Sequence, residues 1–245
     1  MNPSGGVRDA GVYAGRVHVP DHFALPEERL LALLASPRAG NLVTVHADGP
    51  LATFVPFHLE RDEEGTARLV THLVANNPQL ATPTTGPAMV LLDITDTYVS
   101  PRWYATNDVQ PNVPTWDYVT IHAWGRLHVD PSPARALEVA RRLTSRKGDG
   151  DVVGAVGEDK LAAMSRAIRA VEVRVDRLQG KAKMSQNRHP DDVRSVLAHV
   201  EEHGPSEVAD YLREVSLPHA EERFATIRRL SRQHRVPAHR QGSAL

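Results

Sequence analysis

Short alternating runs of apolar and β-branched residues, each closed by a turn signal, restrict this chain to a sheet whose neighbouring strands are joined locally. Residues 41–46 and 51–59 read as a hairpin around Ala47-Asp48-Gly49-Pro50, since Asp-Gly supplies the backbone a tight hairpin needs. Arg61-Asp62-Glu63-Glu64-Gly65 is a second turn leading into residues 67–73, and residues 88–94 form a buried apolar strand. Residues 118–129 alternate strictly and predict one long, half-buried strand, and residues 171–178 predict the last. Strands at this spacing favour a β-barrel over parallel βαβ units.

Helical periodicity appears before the first strand and through the second half of the chain. Residues 26–34 carry Pro26 at a first turn followed by Glu27 and Glu28, acids placed where a helix dipole is positive. Residues 133–145 set Ala136, Val139, Ala140 and Leu143 on one face. Further helices are predicted over 159–170, 190–203 and 206–215. Residues 220–234 are helical in pattern but strongly charged, which suits a peripheral or dimer-embracing helix, or disorder. Residues 1–15 are Gly-rich and aperiodic, a flexible arm, and residues 235–245 are expected to be a tail. The class is α+β, mainly β.

Composition removes several functions. With 245 residues and 41% hydrophobic content the chain can bury a sizeable core. Lys+Arg 29 against Asp+Glu 30 leaves a formal charge of -1, so no global field draws nucleic acid or anionic lipid. No helix-turn-helix signal is present, and nucleic acid is not expected as a partner. The absence of cysteine excludes disulfides, thiolate metal sites and a cysteine nucleophile. No apolar run is long enough to span a bilayer, and a soluble cytoplasmic protein is the expectation. There is no Gly-x-Gly-x-x-Gly after a strand, no Walker A loop and no Gly-x-Ser-x-Gly elbow.

Three groups of residues could carry chemistry. Lys181-Ala-Lys183-Met-Ser185-Gln-Asn187-Arg188 offers donors with almost nothing to bury, which suits a phosphate, propionate or carboxylate; a solvated turn is the plainer alternative. Tyr98, Trp103, Tyr104, Trp116, Tyr118 and Trp124 include all three tryptophans of a chain with 5% aromatics. With Ser100, Arg102, Thr115 and Asp117 beside them they match an apolar pocket with a few polar anchors for a planar cofactor; a packed barrel corner is the plainer alternative. Among 13 histidines, His72 stands directly before Val74-Ala-Asn-Asn-Pro78. His58 and His122 also lie on strands, and any of the three could ligate iron or simply bond a neighbour. Acid–base work would fall to Asp93, Asp96, Asp117, a histidine or a tyrosine.

Five segments resemble one family: Val17-His-Val-Pro-Asp-His-Phe23, His72-Leu-Val-Ala-Asn-Asn-Pro78, Tyr98-Val-Ser-Pro-Arg-Trp-Tyr104, Pro114-Thr-Trp-Asp-Tyr118 and Lys183-Met-Ser-Gln-Asn-Arg188. They are similar, in order and over roughly residues 16 to 200, to PaiB-type proteins, known as FMN-binding negative transcriptional regulators. The resemblance implies an FMN-binding split β-barrel with peripheral helices over 16–203, a helical extension and tail over 204–245, and a homodimer holding a planar cofactor between subunits. The family also contains haem-dependent piperazate synthases, which cyclise N5-hydroxy-L-ornithine to L-piperazic acid by forming an N–N bond.

Departures from the regulator pattern point toward that enzyme. Leu92-Asp-Ile-Thr-Asp96 replaces an aromatic and Gln-Gly-Pro, Leu80 replaces a Trp, Phe54 replaces a His, and Asp117 replaces an Asn. In the haem reading His72 is the axial ligand, with His58 and His122 as alternatives. Arg102, Trp103, Trp116, Lys183, Ser185, Asn187 and Arg188 then hold haem b, Asp117, Tyr118 and Tyr98 face the substrate, and iron is a Lewis acid at the hydroxylamine oxygen. In the alternative, the same cluster grips the phosphate of FMN in a regulator, or in a flavin-dependent reductase.

Overall fold

The computed structural model describes residues 17–145 and 154–233. Their order is α1 (Glu27–Leu34), β1 (Arg38–His46), β2 (Gly49–Arg61), β3 (Ala67–Val74), β4 (Ala88–Val99), β5 (Thr115–Asp130), α2 (Pro133–Ser145), α3 (Glu158–Ser165), β6 (Ile168–Lys183), α4 (Pro190–His203), α5 (Ser206–Tyr211) and α6 (Leu217–Gln233). The strands close into an antiparallel barrel in the order β1-β2-β3-β6-β5-β4. This is the split-barrel architecture of the α+β, mainly β class. Single-turn 3₁₀ segments at Asp21–Phe23, Pro78–Leu80 and Pro101–Trp103 punctuate the loops.

The predicted hairpin is present, with β1 paired to β2 from Arg38↔Phe57 to His46↔Gly49. Gly49 sits at φ 128°, a conformation side chains with a Cβ rarely adopt. The 16-residue strands β5 and β6 form the longest ladder, from Tyr118↔Lys183 to Asp130↔Ala170. A β-bulge between Trp124 and Gly125 bends it, which is how a long strand follows a barrel wall. At Gly125 the two backbones approach so closely that a Cβ would lie 1.8 Å from the Arg174 carbonyl oxygen.

The last strand runs five residues beyond the expected end at Leu178, so Lys181-Ala182-Lys183 is strand rather than turn. Charge suggested a loop, yet Lys-Ala-Lys has the two-residue period of a strand with one wet face. Ala182 and the following Met184 are fully buried. The two C-terminal helices predicted separately are one continuous rod, joined by a π-helical turn at Leu212–Ser216. Pro218 brings no N–H to the helical ladder, and a wider turn accommodates the lost bond. The predicted arm over 1–15 and tail over 235–245 lie outside the described residues.

Three apolar clusters hold these elements. Leu42, Phe57, Leu69, Leu73, Val90, Leu92, Ile121, Ala123 and Val173 fill the barrel, plugged by Leu30 and Leu34 of α1. Beyond the barrel, Val99, Val119, Ala182 and Met184 pack against Val193, Val196 and Val200 of α4 and Val208, Leu212 and Ala220 of the C-terminal rod. Ala136, Val139 and Leu143 of α2 cover Val70 and Ala170 on the outside. Arg135 clamps α2 in place through Glu60 and Glu172, each at 2.8 Å.

Gly125→Ala should lower stability by about 1–3 kcal/mol, because the backbone of β6 must move to admit a methyl group. Gly86, whose Cβ would meet nothing within 4 Å, should tolerate alanine to within about 0.5 kcal/mol. Urea denaturation of the two variants checks both.

Candidate functional site

Where β5 and β6 begin and end, the segment expected to grip an external anion holds an internal one. Asp117 points inward from β5 and is 1% exposed. Its Oδ2 accepts from the Ser185 hydroxyl at 2.7 Å, and the Lys183 ammonium lies 3.8 Å from its Oδ1. Lys183 also donates to Thr115 Oγ1 at 2.6 Å and to the Trp116 carbonyl at 2.5 Å. Arg188 donates to Asn112 Oδ1 at 2.8 Å and stacks over the Tyr104 ring at 4.6 Å. Ser185 takes φ 59°, the one positive φ outside glycine among the described residues. Such a conformation costs energy and survives where neighbours over-determine it, here the bond to Asp117 and the turn closed by Arg188 N–H to the Ser185 carbonyl at 2.9 Å.

Burial dominates the electrostatics. It pushes the Asp117 carboxyl up to about 6, against the opposing pull of Ser185, Lys183 and Arg188. It also lowers the Lys183 ammonium, although Asp117 opposes that shift. Both partners move toward their neutral forms, so desolvation outweighs attraction in this pair. Asp117 Oδ1 and Tyr104 Oη are buried without a hydrogen-bond partner. Gln186, counted in the sequence among the spare donors of this motif, is buried too. It accepts from the Met184 N–H and donates to the Ala182 carbonyl, both at 2.7 Å.

The opposite face of the same strands is aromatic. Trp116, Tyr118, Thr120, His122 and Trp124 alternate outward along β5, opposite Tyr98, Asp96 and Asp93 on β4 and Lys183, Lys181, Gln179 and Arg177 on β6. Tyr98 meets Trp116 edge-on at 6.1 Å, and Trp116 is 54% exposed. Lys181 Nζ lies 5.5 Å above the Tyr118 ring and Arg177 lies 3.8 Å above Trp124. Across the barrel seam, Phe54 is paired with Asn41 and 68% exposed. Trp103 links this wall to α4: it meets Tyr98 edge-on at 6.2 Å and stacks on His199 at 3.8 Å. Arg102 is exposed and contributes its backbone N–H to the Ser100 hydroxyl at 3.3 Å, while Asn187 is exposed and its carbonyl accepts from Arg223.

The histidines fall elsewhere. His72 pairs with Ala170 on β6, thirteen residues from Lys183. At about 3.3 Å per residue that is roughly 40 Å along the strand. One chain therefore cannot bring His72 and the Lys183 cluster to one cofactor, contrary to the grouping drawn from the sequence. His72 opens instead onto a groove of about 520 Å³ lined by Pro37, Ala39, Pro56, Ala140, Leu143 and Arg38. Its Nδ1 is buried without a partner, and burial lowers its pKa, which keeps the imidazole neutral. His58 is fully buried and bonded to Glu60 at 2.7 Å, an anchor of the α2 clamp. His122 lies on the aromatic face, stacked on Trp124 at 5.6 Å, with its pKa also lowered by burial. No group of three or more His, Asp or Glu side chains suited to a bare metal ion occurs among the described residues.

A closed six-stranded barrel with an exposed aromatic face is the frame of a class of cofactor-binding proteins. Residues 17–177 match the family described as "Putative FMN-binding domain", and the chain belongs to it. It is 24% identical over 188 residues to "Protease synthase and sporulation protein PAI 2" of Bacillus subtilis (strain 168), covering 74% of this chain and 87% of that one. It is 30% identical over 130 residues to a protein of Aspergillus fumigatus, covering 44% and 49% of the two chains. The flavocytochrome Anf3 from Azotobacter vinelandii has a similar fold, with TM-score 0.51 at 16% identity over 69% of this chain and 74% of that one. No helix among the described residues is long and apolar enough to cross a membrane.

Asp117→Asn tests the buried pair. A carboxyl near 3.8 when unfolded and about 6 when folded binds its proton more tightly in the folded state. Its contribution to stability is therefore full below the lower value and falls as pH rises through the upper one, by roughly 3 kcal/mol at most. Urea midpoints measured at intervals between these limits should decline for the parent chain and stay flatter for the variant.

Proposed function

We propose that this protein binds FMN on the outer aromatic face of β4–β5–β6 and works as a homodimer that covers the ring with a second copy. The observation that carries this reading is the exposed, edge-on pair of Tyr98 and Trp116 on a barrel of the FMN-binding family. Large apolar side chains gathered on one sheet face mark a binding surface. Trp116 and Tyr98 would stack with the isoalloxazine edge. Lys181, whose ammonium lies over the Tyr118 ring, is the nearby cation able to receive the phosphate. Lys183, Ser185 and Arg188 already have acceptors within the chain, so their role is to hold Asp117 and the wall behind the ring. Asp117 and Tyr118 would then set protonation and charge at the strand end. A bound flavin supplies hydride or electron transfer, and a regulator using flavin occupancy as its signal or a flavin-dependent reductase both fit this site.

A second reading places haem rather than FMN, with ring closure of N5-hydroxy-L-ornithine to L-piperazic acid as the activity. One observation favours it: the neutral His72 with an unpartnered Nδ1, facing an apolar groove that also offers Arg38. A neutral imidazole is a haem ligand, and an arginine pairs with a propionate. Haem would supply Lewis-acid activation of the N–O bond.

Titration of the purified chain with FMN and separately with hemin decides between them. The flavin reading expects saturable quenching of flavin fluorescence, weakened about tenfold in Trp116→Ala through loss of ring stacking. It expects His72→Ala to leave FMN affinity unchanged. A Soret band that His72→Ala abolishes, with no flavin binding, would reverse the order of the two readings.

A further inference from the structure

We propose that a cleft between the barrel and the C-terminal rod binds a short zwitterion, a carboxylate and an ammonium joined by an apolar stem. The cleft has a volume of about 250 Å³. Leu33 of α1, Ile94 of β4, Val119 of β5 and Tyr211 of α5 form its apolar walls, with Arg29 and Arg38 on one side and Glu207, Asp210 and Glu214 on the other. A pocket just below the size range of drug-like ligand sites, apolar within and carrying both charges at its edge, selects a small molecule with both charges.

The charged groups are not consumed by one another. Arg38 donates its Nε to the Leu33 carbonyl at 3.3 Å, and Asp210 pairs with Arg213 at 2.7 Å. Arg29 makes no ion pair among the described residues, and Glu214 makes none either. Among the described residues Glu207 receives only the neighbouring Ser206 hydroxyl, at 3.4 Å. Arg29 is thus the free cation for a carboxylate, and Glu207 and Glu214 are the free anions for an ammonium.

Two departures from regular backbone meet at this cleft. The β4 ladder slips register between Asp93 and Thr95, which turns Ile94 and Thr95 toward it. The C-terminal rod widens into its π turn at Leu212–Ser216, and Glu214 is carried on that turn. Bulges and π turns re-aim side chains and recur beside ligand sites. The acidic wall lies beyond residue 177, where the match to the family ends. The cleft thus joins a basic and apolar wall from the barrel region to an acidic wall from the C-terminal helices, and it does not depend on which cofactor the barrel holds.

The test uses the full-length protein and three probes of equal stem: 5-aminopentanoate, pentanoate and 1-aminopentane. Isothermal titration, with amide shifts of Thr95 and Tyr211 followed by NMR, should show saturable binding of 5-aminopentanoate and at least about tenfold weaker binding of each half-molecule. Arg29→Gln should remove the advantage of 5-aminopentanoate over 1-aminopentane, and Glu214→Gln its advantage over pentanoate. Both positions are solvent-exposed on helices, so the variants should keep the parent's melting behaviour. No saturable shift up to about 10 mM, or equal binding of the three probes, overturns the proposal. Unchanged selectivity in both variants overturns it as well.

Discussion

The long antiparallel ladder between β5 and β6 organises everything else in this protein. Thirteen backbone partners, from Tyr118↔Lys183 to Asp130↔Ala170, run the length of the molecule and give it two functional ends. At one end the ladder brings Asp117 against Ser185 and Lys183. Toward the other, β6 pairs with β3 and sets His72 beside α2. Gly125 makes the ladder possible at its bend, because there the strands pass closer than any Cβ permits.

Burying a carboxylate among apolar neighbours is expensive, and the surroundings of Asp117 offset that cost only in part. The serine hydroxyl, the lysine and the arginine favour the charged form, yet desolvation prevails and the carboxyl titrates at about 6. The positive φ of Ser185 belongs to the same compromise, since the strained turn places its hydroxyl on Oδ2. This polar knot lies directly behind the exposed face that carries Trp116 and Tyr98.

Much of the barrel was legible in the residues. Residues 41–46 and 51–59 announced a hairpin because Asp48-Gly49 meets the backbone demand of the turn, and 118–129 announced a long strand by alternation. The end of β6 was misread, since two lysines in three residues look like a loop when nothing shows that Ala182 faces a second core. The two C-terminal helices read as separate because Pro218 ordinarily ends a helix. A π turn carries the rod through it instead.

The composition of the candidate site was also legible: an aspartate in an aromatic segment, a basic motif after the last strand, a histidine before an Asn-Asn-Pro turn. Proximity was not. Sequence spacing is silent on strand register, and register sets Lys183 opposite Tyr118, with its ammonium in reach of Asp117, while His72 sits roughly 40 Å away along β6. The sequence by itself determined the strands, their local hairpins and the family of the barrel, because alternation and turn chemistry act between near neighbours. Only the tertiary structure decided which charges are spent on one another, because pairing and desolvation depend on segments far apart in the chain.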